Sequence, residues 1–276
     1  MTSIHKTIKT CAKILAALII AGIVYSAVSL VSGIFGIFWE DEYEAVKNES
    51  FEDVTALDID LEASELTIKI GDGYSVETNN KKVSARLDGS ELEIDERQFF
   101  GVNNNSKIIL TIPENSQLDS VSISAGAGNI VIERLFADKA SIEMGAGNLT
   151  VKACEITGGA DIEGGVGNIT IESGIIYDLD LEMGVGNVNI TAGVLGTRST
   201  IECGVGDLDL SLSGGARYTV DCSVGVGSFR VDGNKVLGNQ IIGTGRDRIT
   251  IDGGVGSVNV HYNDQDLPDY DFGYEY

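Results

Sequence analysis

From residue 118 onward the apolar positions fall into columns. Ile123, Ile142, Ile162, Leu181, Ile201, Cys222 and Ile251 each stand three residues before a glycine. The next column is polar: Ser124, Glu143, Glu163, Glu182, Glu202, Ser223 and Asp252. The third is small or apolar: Ala125, Met144, Gly164, Met183, Cys203, Val224 and Gly253. After the glycines the pattern resumes with Ile130, Leu149, Ile169, Val188, Leu208, Phe229 and Val258. Two residues further on stand Ile132, Val151, Ile171, Ile190, Leu210, Val231 and Val260. Both arms alternate with period two, which is the signature of strands and not of helices.

Between the arms lies a repeated corner. It reads Gly126, Gly128, Asn129; Gly145, Gly147, Asn148; Gly165, Gly167, Asn168; Gly184, Gly186, Asn187; and Gly204, Gly206, Asp207. Looser copies follow at Gly225 and Gly254, with Ser228 and Ser257 at the polar position. The second glycines are spaced by 19, 20, 19, 20, 21 and 29 residues. A near-fixed period of this kind marks a stacked repeat. The arms are out of phase across the corner, so a bend or bulge is expected there to turn both apolar sets inward. The residues that close each circuit include Leu135, Ile156, Ile176 and Leu195 and predict a third short strand or turn.

These features predict an all-β fold, a parallel β-solenoid of 19–20-residue coils. Coils about 4.8 Å apart, stacked in chain order, make seven corners into a rod of roughly 29 Å. The corner glycines are expected to serve backbone geometry and close coil-to-coil approach. The asparagines are expected to stack as a hydrogen-bonding ladder, loosened where Asp207, Ser228 and Ser257 replace them. Upstream, "TALDIDLEASELTIKI", "YSVET", "KVSARLDGSELEID" and "SKIILTIP" read as irregular opening coils that cap the first end. "LEASELTI" echoes "LEMGVGNVNI" with a shortened, serine-bearing corner.

The N-terminal part is different in character. Residues 14–39 carry no charge, follow Lys6, Lys9 and Lys13, and end at Trp39 before "EDE". This predicts one transmembrane helix, with residues 1–13 cytoplasmic and the rest outside the cell. A cleaved signal peptide is the rival, but its apolar core is shorter, about 7–15 residues. The remaining boundaries are a linker at 40–50, the ectodomain at 51–262 and an acidic, aromatic tail at 263–276. The tail is expected to be a flexible terminus, or alternatively a segment whose aromatics cover the last coil.

Charge narrows the partners. Removing the three N-terminal lysines leaves 16 basic residues against 42 acidic ones, a balance of −26. That argues against nucleic acid and anionic lipid, which need a basic footprint. The four cysteines, Cys11, Cys154, Cys203 and Cys222, make no C-x-x-C and no disulfide framework. Buried free thiols are expected, with a Cys203–Cys222 bridge as the alternative.

Candidate chemistry is sparse. The corners lack the Lys and Ser/Thr of a phosphate loop, the third glycine and helix of a dinucleotide fingerprint, and the short period of calcium nonapeptide repeats. Catalytic and cofactor residues are therefore expected to be absent. The acid column, Glu143, Glu163, Glu182 and Glu202, is the candidate metal set. Stacked like charges destabilise paired strands, and calcium would relieve them; the alternative is a solvated, salt-screened face. The long interval before the last corner holds Arg246, Asp247 and Arg248. It is expected to be a surface hairpin or extra half-coil, and is also where a glycan-cleaving site would lie if the solenoid were an enzyme.

"SKIILTIPENSQLDSVSISAGAGNIVIERL" followed by "ASIEMGAGNLTV" resembles the bacterial "putative adhesin" domain family, over roughly Phe51 to Tyr262. The resemblance implies a surface-exposed β-solenoid behind a membrane helix, with no catalytic residues to carry over. It also implies kinship with accessory proteins of envelope-stress systems. The expected function is non-enzymatic: a single-pass surface protein that binds or scaffolds at the bacterial envelope, its partner a protein or glycan. Accessory regulation of envelope-stress signalling and carbohydrate cleavage are the alternatives.

Overall fold

Each apolar column of the repeat becomes one wall of a continuous core. A computed structural model describes residues 45–97, 106–196, 198–214, 217–238 and 240–263. The candidate membrane segment 14–39 and the tail from 264 onward lie outside these residues. The described chain is all strand and turn, without α-helix.

The opening strands are β1 (Lys47–Phe51), β2 (Ala56–Leu61), β3 (Glu65–Gly71), β4 (Tyr74–Thr78), β5 (Val83–Asp88), β6 (Glu91–Glu96) and β7 (Lys107–Pro113). The repeats comprise β8 (Leu118–Ala127), β9 (Ile130–Ile132), β10 (Leu135–Val151), β11 (Cys154–Ile171), β12 (Gly174–Ile176), β13 (Leu179–Leu195), β14 (Arg198–Val205) and β15 (Leu208–Ser213). The last elements are β16 (Tyr218–Val231), β17 (Asn234–Val236), β18 (Gln240–Ile242) and β19 (Asp247–Asn263). β1 begins within the stretch expected to be linker.

The coils stack in parallel and in register. Ile123 pairs with Ile142, Ile142 with Ile162, Ile162 with Leu181, and Leu181 with Ile201. All five are at most 3 % exposed. The third strand per coil is present: Leu135, Cys154, Gly174 and Gly193 align in sequence along the stack. In the opening coil Leu61 pairs with Ala125 and Leu66 with Ile130, so "LEASELTI" is a full rung, with Ser64 at the corner.

The corners explain the glycines. Gly167 has φ 145°. A Cβ there would stand 1.6 Å from the carbonyl oxygen of Gly147. The same contact recurs along the column, so only glycine lets one coil sit on the next. The asparagine ladder forms beside it. Asn148 donates from Nδ2 to Asn129 Oδ1 at 2.9 Å, and Asn168 repeats this with Asn148. Asp207 continues the ladder, because its backbone N–H donates to Asn187 Oδ1 at 3.1 Å and its own carboxylate accepts from Ser257.

Stacking does not follow chain order at either end, which corrects the sequential rod. β19 pairs with β14 and β15 on one side and with β16 on the other. The last corner, at Gly254 and Gly256, therefore sits between those at Gly204 and Gly225. The interval before it forms the expected hairpin: β17 and β18 run antiparallel along the outer edge of β16. The chain overshoots by one rung, caps itself, and returns to fill the gap. At the other end β6 and β7 pair with β2 and β3, and β4 and β5 cover them antiparallel. "YSVET" and the start of "KVSARLDGSELEID" are thus caps rather than coils. β1 lies beyond β4. Antiparallel strands at both ends replace open coil faces that another copy would otherwise extend.

Candidate functional site

The acid column forms as the repeat predicts. Glu143 pairs with Glu163, Glu163 with Glu182, and Glu182 with Glu202. Because β19 is inserted, the next rung is Asp252, and Ser223 comes after it. All four glutamates are exposed. The alternation places them outward because Ile142, Ile162, Leu181 and Ile201 beside them point inward. Glu143 above all, then burial, then Asp161, Glu182 and Asp180, hold the Glu163 carboxyl above its ordinary range.

A groove of about 860 Å³ runs along this edge from Ser124 to Asp252. Its lining includes the acid column, the first glycine of six of the seven corners (all but Gly225), and Met144 and Met183. The carboxylates line it as a row, one per rung at about 4.8 Å. They do not converge: among the described residues no three acidic, histidine or cysteine side chains gather to hold a metal ion. A row of this kind can engage the successive units of an extended partner more readily than enclose one ion.

The residues of the long interval are brought together, but not as an open acid pair. Asp247 is fully buried at the start of β19 and bonded to Arg217 Nε, with Arg246 Nε 3.6 Å from its other oxygen. Arg248 points outward and binds Asp221 at 2.6 Å. Arg217 was not singled out from the sequence; its partner Asp247 is thirty residues away, and no local spacing reports the pairing.

Cys154, Cys203 and Cys222 are free and buried. The bridge weighed for Cys203 and Cys222 does not form. β19 lies between their strands, setting Gly253 beside Cys203 and Ile251 beside Cys222. Burial pushes the thiols of Cys154 and Cys222 up to about 12, and that of Cys203 to about 11.

Exposed apolar side chains at the C-terminal end are a feature the columns did not reveal. Val226, Leu237 and Ile241 are 62 %, 75 % and 59 % exposed. The signal for Leu237 and Ile241 was apolar residues in a glycine- and asparagine-rich stretch outside the repeat, whereas Val226 stands inside the corner copy at Gly225.

Comparison with known proteins agrees with this architecture. No curated protein matches the chain in sequence. Among solved structures, a "putative adhesin" from Parabacteroides distasonis is similar at 16 % identity and a TM-score of 0.50, covering 79 % of this chain and 98 % of its own. A "putative adhesin" from Bacteroides fragilis is similar at 13 % identity and a TM-score of 0.44, covering 79 % and 98 %. A "putative cell adhesion protein" from Clostridium sporogenes has 13 % identity and a TM-score of 0.32, covering 80 % and 100 %. The family model described as Toastrack DUF4097 matches residues 54–261, nearly the whole stack, and the chain belongs to that family.

Proposed function

We propose that the protein is a membrane-tethered envelope module that holds an extended partner along the lateral edge of its stack. The observation that carries this reading is the groove of about 860 Å³ walled by Glu143, Glu163, Glu182 and Glu202. It repeats one chemical environment at each rung, which suits a polymer better than a compact ligand. Antiparallel caps at both ends leave the lateral faces as the surfaces that recur in register. The balance of −26 beyond residue 13 favours cationic or hydroxyl-rich chains and disfavours polyanions. The uncharged run 14–39 tethers the module to the bilayer, with the stack outside. Surface binding also fits the "putative adhesin" description of the Parabacteroides distasonis protein.

Photo-crosslinking in living cells tests the groove. A photoreactive residue at position 163 is expected to capture a partner, whereas one at Thr157, exposed outside the groove, is not. Capture from Thr157 alone overturns the reading. Fractionation tests the tether: the full chain is expected to leave membranes only with detergent, and release by salt overturns anchoring.

A further inference from the structure

Four of the chain's eight arginines gather where the last coils begin. Arg198 opens β14, Arg246 and Arg248 flank the first residue of β19, and Arg217 precedes β16. These three strands are neighbouring rungs. Arg198 pairs directly with Arg248, one rung or about 4.8 Å away. Like charges so placed repel. The acids nearby are already engaged. Asp221 holds Arg248 at 2.6 Å, and the buried Asp247 is bonded to Arg217. Asp178 accepts the backbone N–H of Arg198 at 3.2 Å. The Arg198 side chain is exposed and forms no ion pair among the described residues. Arg246 is 82 % exposed and approaches Asp247 only at 3.6 Å. Two guanidinium groups therefore face solvent with little compensation, in a domain that is otherwise strongly acidic.

An aromatic ring stands beside them. Gly196 lies two residues before Arg198, and its N–H donates to the Ile176 carbonyl at 2.8 Å. A Cβ on Gly196 would stand 2.6 Å from the Tyr177 ring, so that ring lies against a glycine, and Tyr177 remains exposed. Asp247 above all, against the opposing effect of burial, raises the Arg217 guanidinium, and Tyr177 contributes in the same direction. Tyr177 is thus within electrostatic reach of the arginines. The planar fork of arginine matches the paired oxygens of a carboxylate or phosphate, which a lysine ammonium does not. An exposed tyrosine adds a flat apolar face with a polar tip. A pyranose with an acidic substituent presents both complements, a face of C–H groups and an anionic edge. The acid wall restricts the ligand to one such unit. Glu202 stands four residues after Arg198 on β14, and Asp252 four after Arg248 on β19. A chain with an acid on every sugar would meet repulsion as soon as it left the arginines.

We propose that Arg198, Arg246 and Tyr177 form a subsite for a single anionic sugar, one that carries a carboxylate or a phosphate. The two guanidinium groups bind the anionic oxygens, the Tyr177 ring takes the sugar face, and Arg248 and Arg217 keep the surrounding potential positive. The subsite stands on these residues alone and does not depend on the acid groove.

Calorimetric titration of the full chain in detergent micelles tests this. The probes are cellotriose, cellotriose with its terminal sugar oxidised to glucuronate, and cellotriose phosphorylated on that same sugar. A charged probe is expected to bind at least about tenfold more tightly than cellotriose, and added salt is expected to weaken it. Preference for the glucuronate assigns a carboxylate ligand, and preference for the phosphorylated sugar a phosphate ligand; both support the subsite. Arg198→Gln/Arg246→Gln, which alters two exposed side chains, is expected to lower the affinity at least about tenfold. Tyr177→Ala, which keeps the charge, is expected to lower it by about threefold or more. Three results overturn the proposal: equal binding of charged and uncharged probes, no binding of either charged probe, or an affinity that both variants leave unchanged. Crosslinking from position 163 probes the acid groove separately, so either reading can fail without the other.

Discussion

Ser257 donates its backbone N–H to the Asp207 carboxylate at 2.7 Å, across fifty residues of chain. Gly256 beside it packs against the carbonyl oxygen of Gly206, while Gly227 packs in turn against Gly256. The last coil of the sequence is thus an inner coil of the stack. It bonds on both sides, and β16 is held to the rest of the molecule largely through it.

Removing core volume from this coil is therefore expected to loosen both neighbours. Ile251 is fully buried and pairs with Ile201 on one side and Cys222 on the other. Ile251→Ala is expected to cost about 2–5 kcal/mol. Hydrogen exchange should rise in β14 and β16 together, while β10 and β11 change little. Faster exchange in β16 alone would contradict the inserted order.

The corner column makes a sharper prediction about glycine. Gly167→Ala places a methyl group 1.6 Å from a carbonyl oxygen and forces φ 145° on an alanine. Strain and clash together are expected to cost about 3 kcal/mol or more. Gly89 has φ 65° with nothing within 4 Å of an added Cβ, so Gly89→Ala is expected to cost only about 1–2 kcal/mol. At Gly73 there is also open space, and no positive φ, so Gly73→Ala is expected to stay within about 0.5 kcal/mol. Urea midpoints of the three variants should fall in that order. Equal midpoints for the changes at 167 and 73 would show that the corners tolerate side chains.

These contrasts mark how far the sequence could be read. The inward columns through Ile142 and Leu149 were legible because alternation at period two leaves each side chain one choice of face. The corners were legible because a backbone requirement repeats wherever the backbone repeats. Stacking order was not, since the copies around Gly225 and Gly254 share one local pattern. Nothing near Ile251 reports whether its neighbour is Ile201 or Cys222. The acid wall was readable from glutamates at one offset from the corner, although Asp252 joined it out of turn. The apolar cap was not, because Leu237 and Ile241 resemble the buried residues of any short strand. Among the described residues no further rung pairs beyond β18, and both side chains are exposed.

The inserted coil also predicts thiol behaviour. Cys154, Cys203 and Cys222 are buried, and burial raises their thiols to between about 11 and about 12. At pH 8 native alkylation is expected to be at least about a hundredfold slower than in urea, because few thiolates form and access is closed. Mass analysis without reductant should show no Cys203–Cys222 link, since a rung separates them. Rapid labelling of Cys203 and Cys222 in the folded chain would show that the C-terminal coils open readily.

The acid wall should cost stability at neutral pH, with a definite sign. Glu143, foremost among its neighbours, raises the Glu163 carboxyl above the ordinary 4.5 in the folded state. A raised carboxylic acid binds its proton more tightly when folded than when unfolded, so deprotonation weakens the fold. The penalty is fully present above the raised folded value. It diminishes as the pH falls through that value, and it is gone below 4.5. Glu163→Gln is therefore expected to melt at a higher temperature than the wild type at pH 7 and to converge with it as the pH approaches 4.5. Added salt at pH 7 should narrow the same gap, because these carboxylates are exposed and screened. A variant that melts lower at pH 7 would mean that the Glu163 charge is stabilising and that the row is not governed by mutual repulsion.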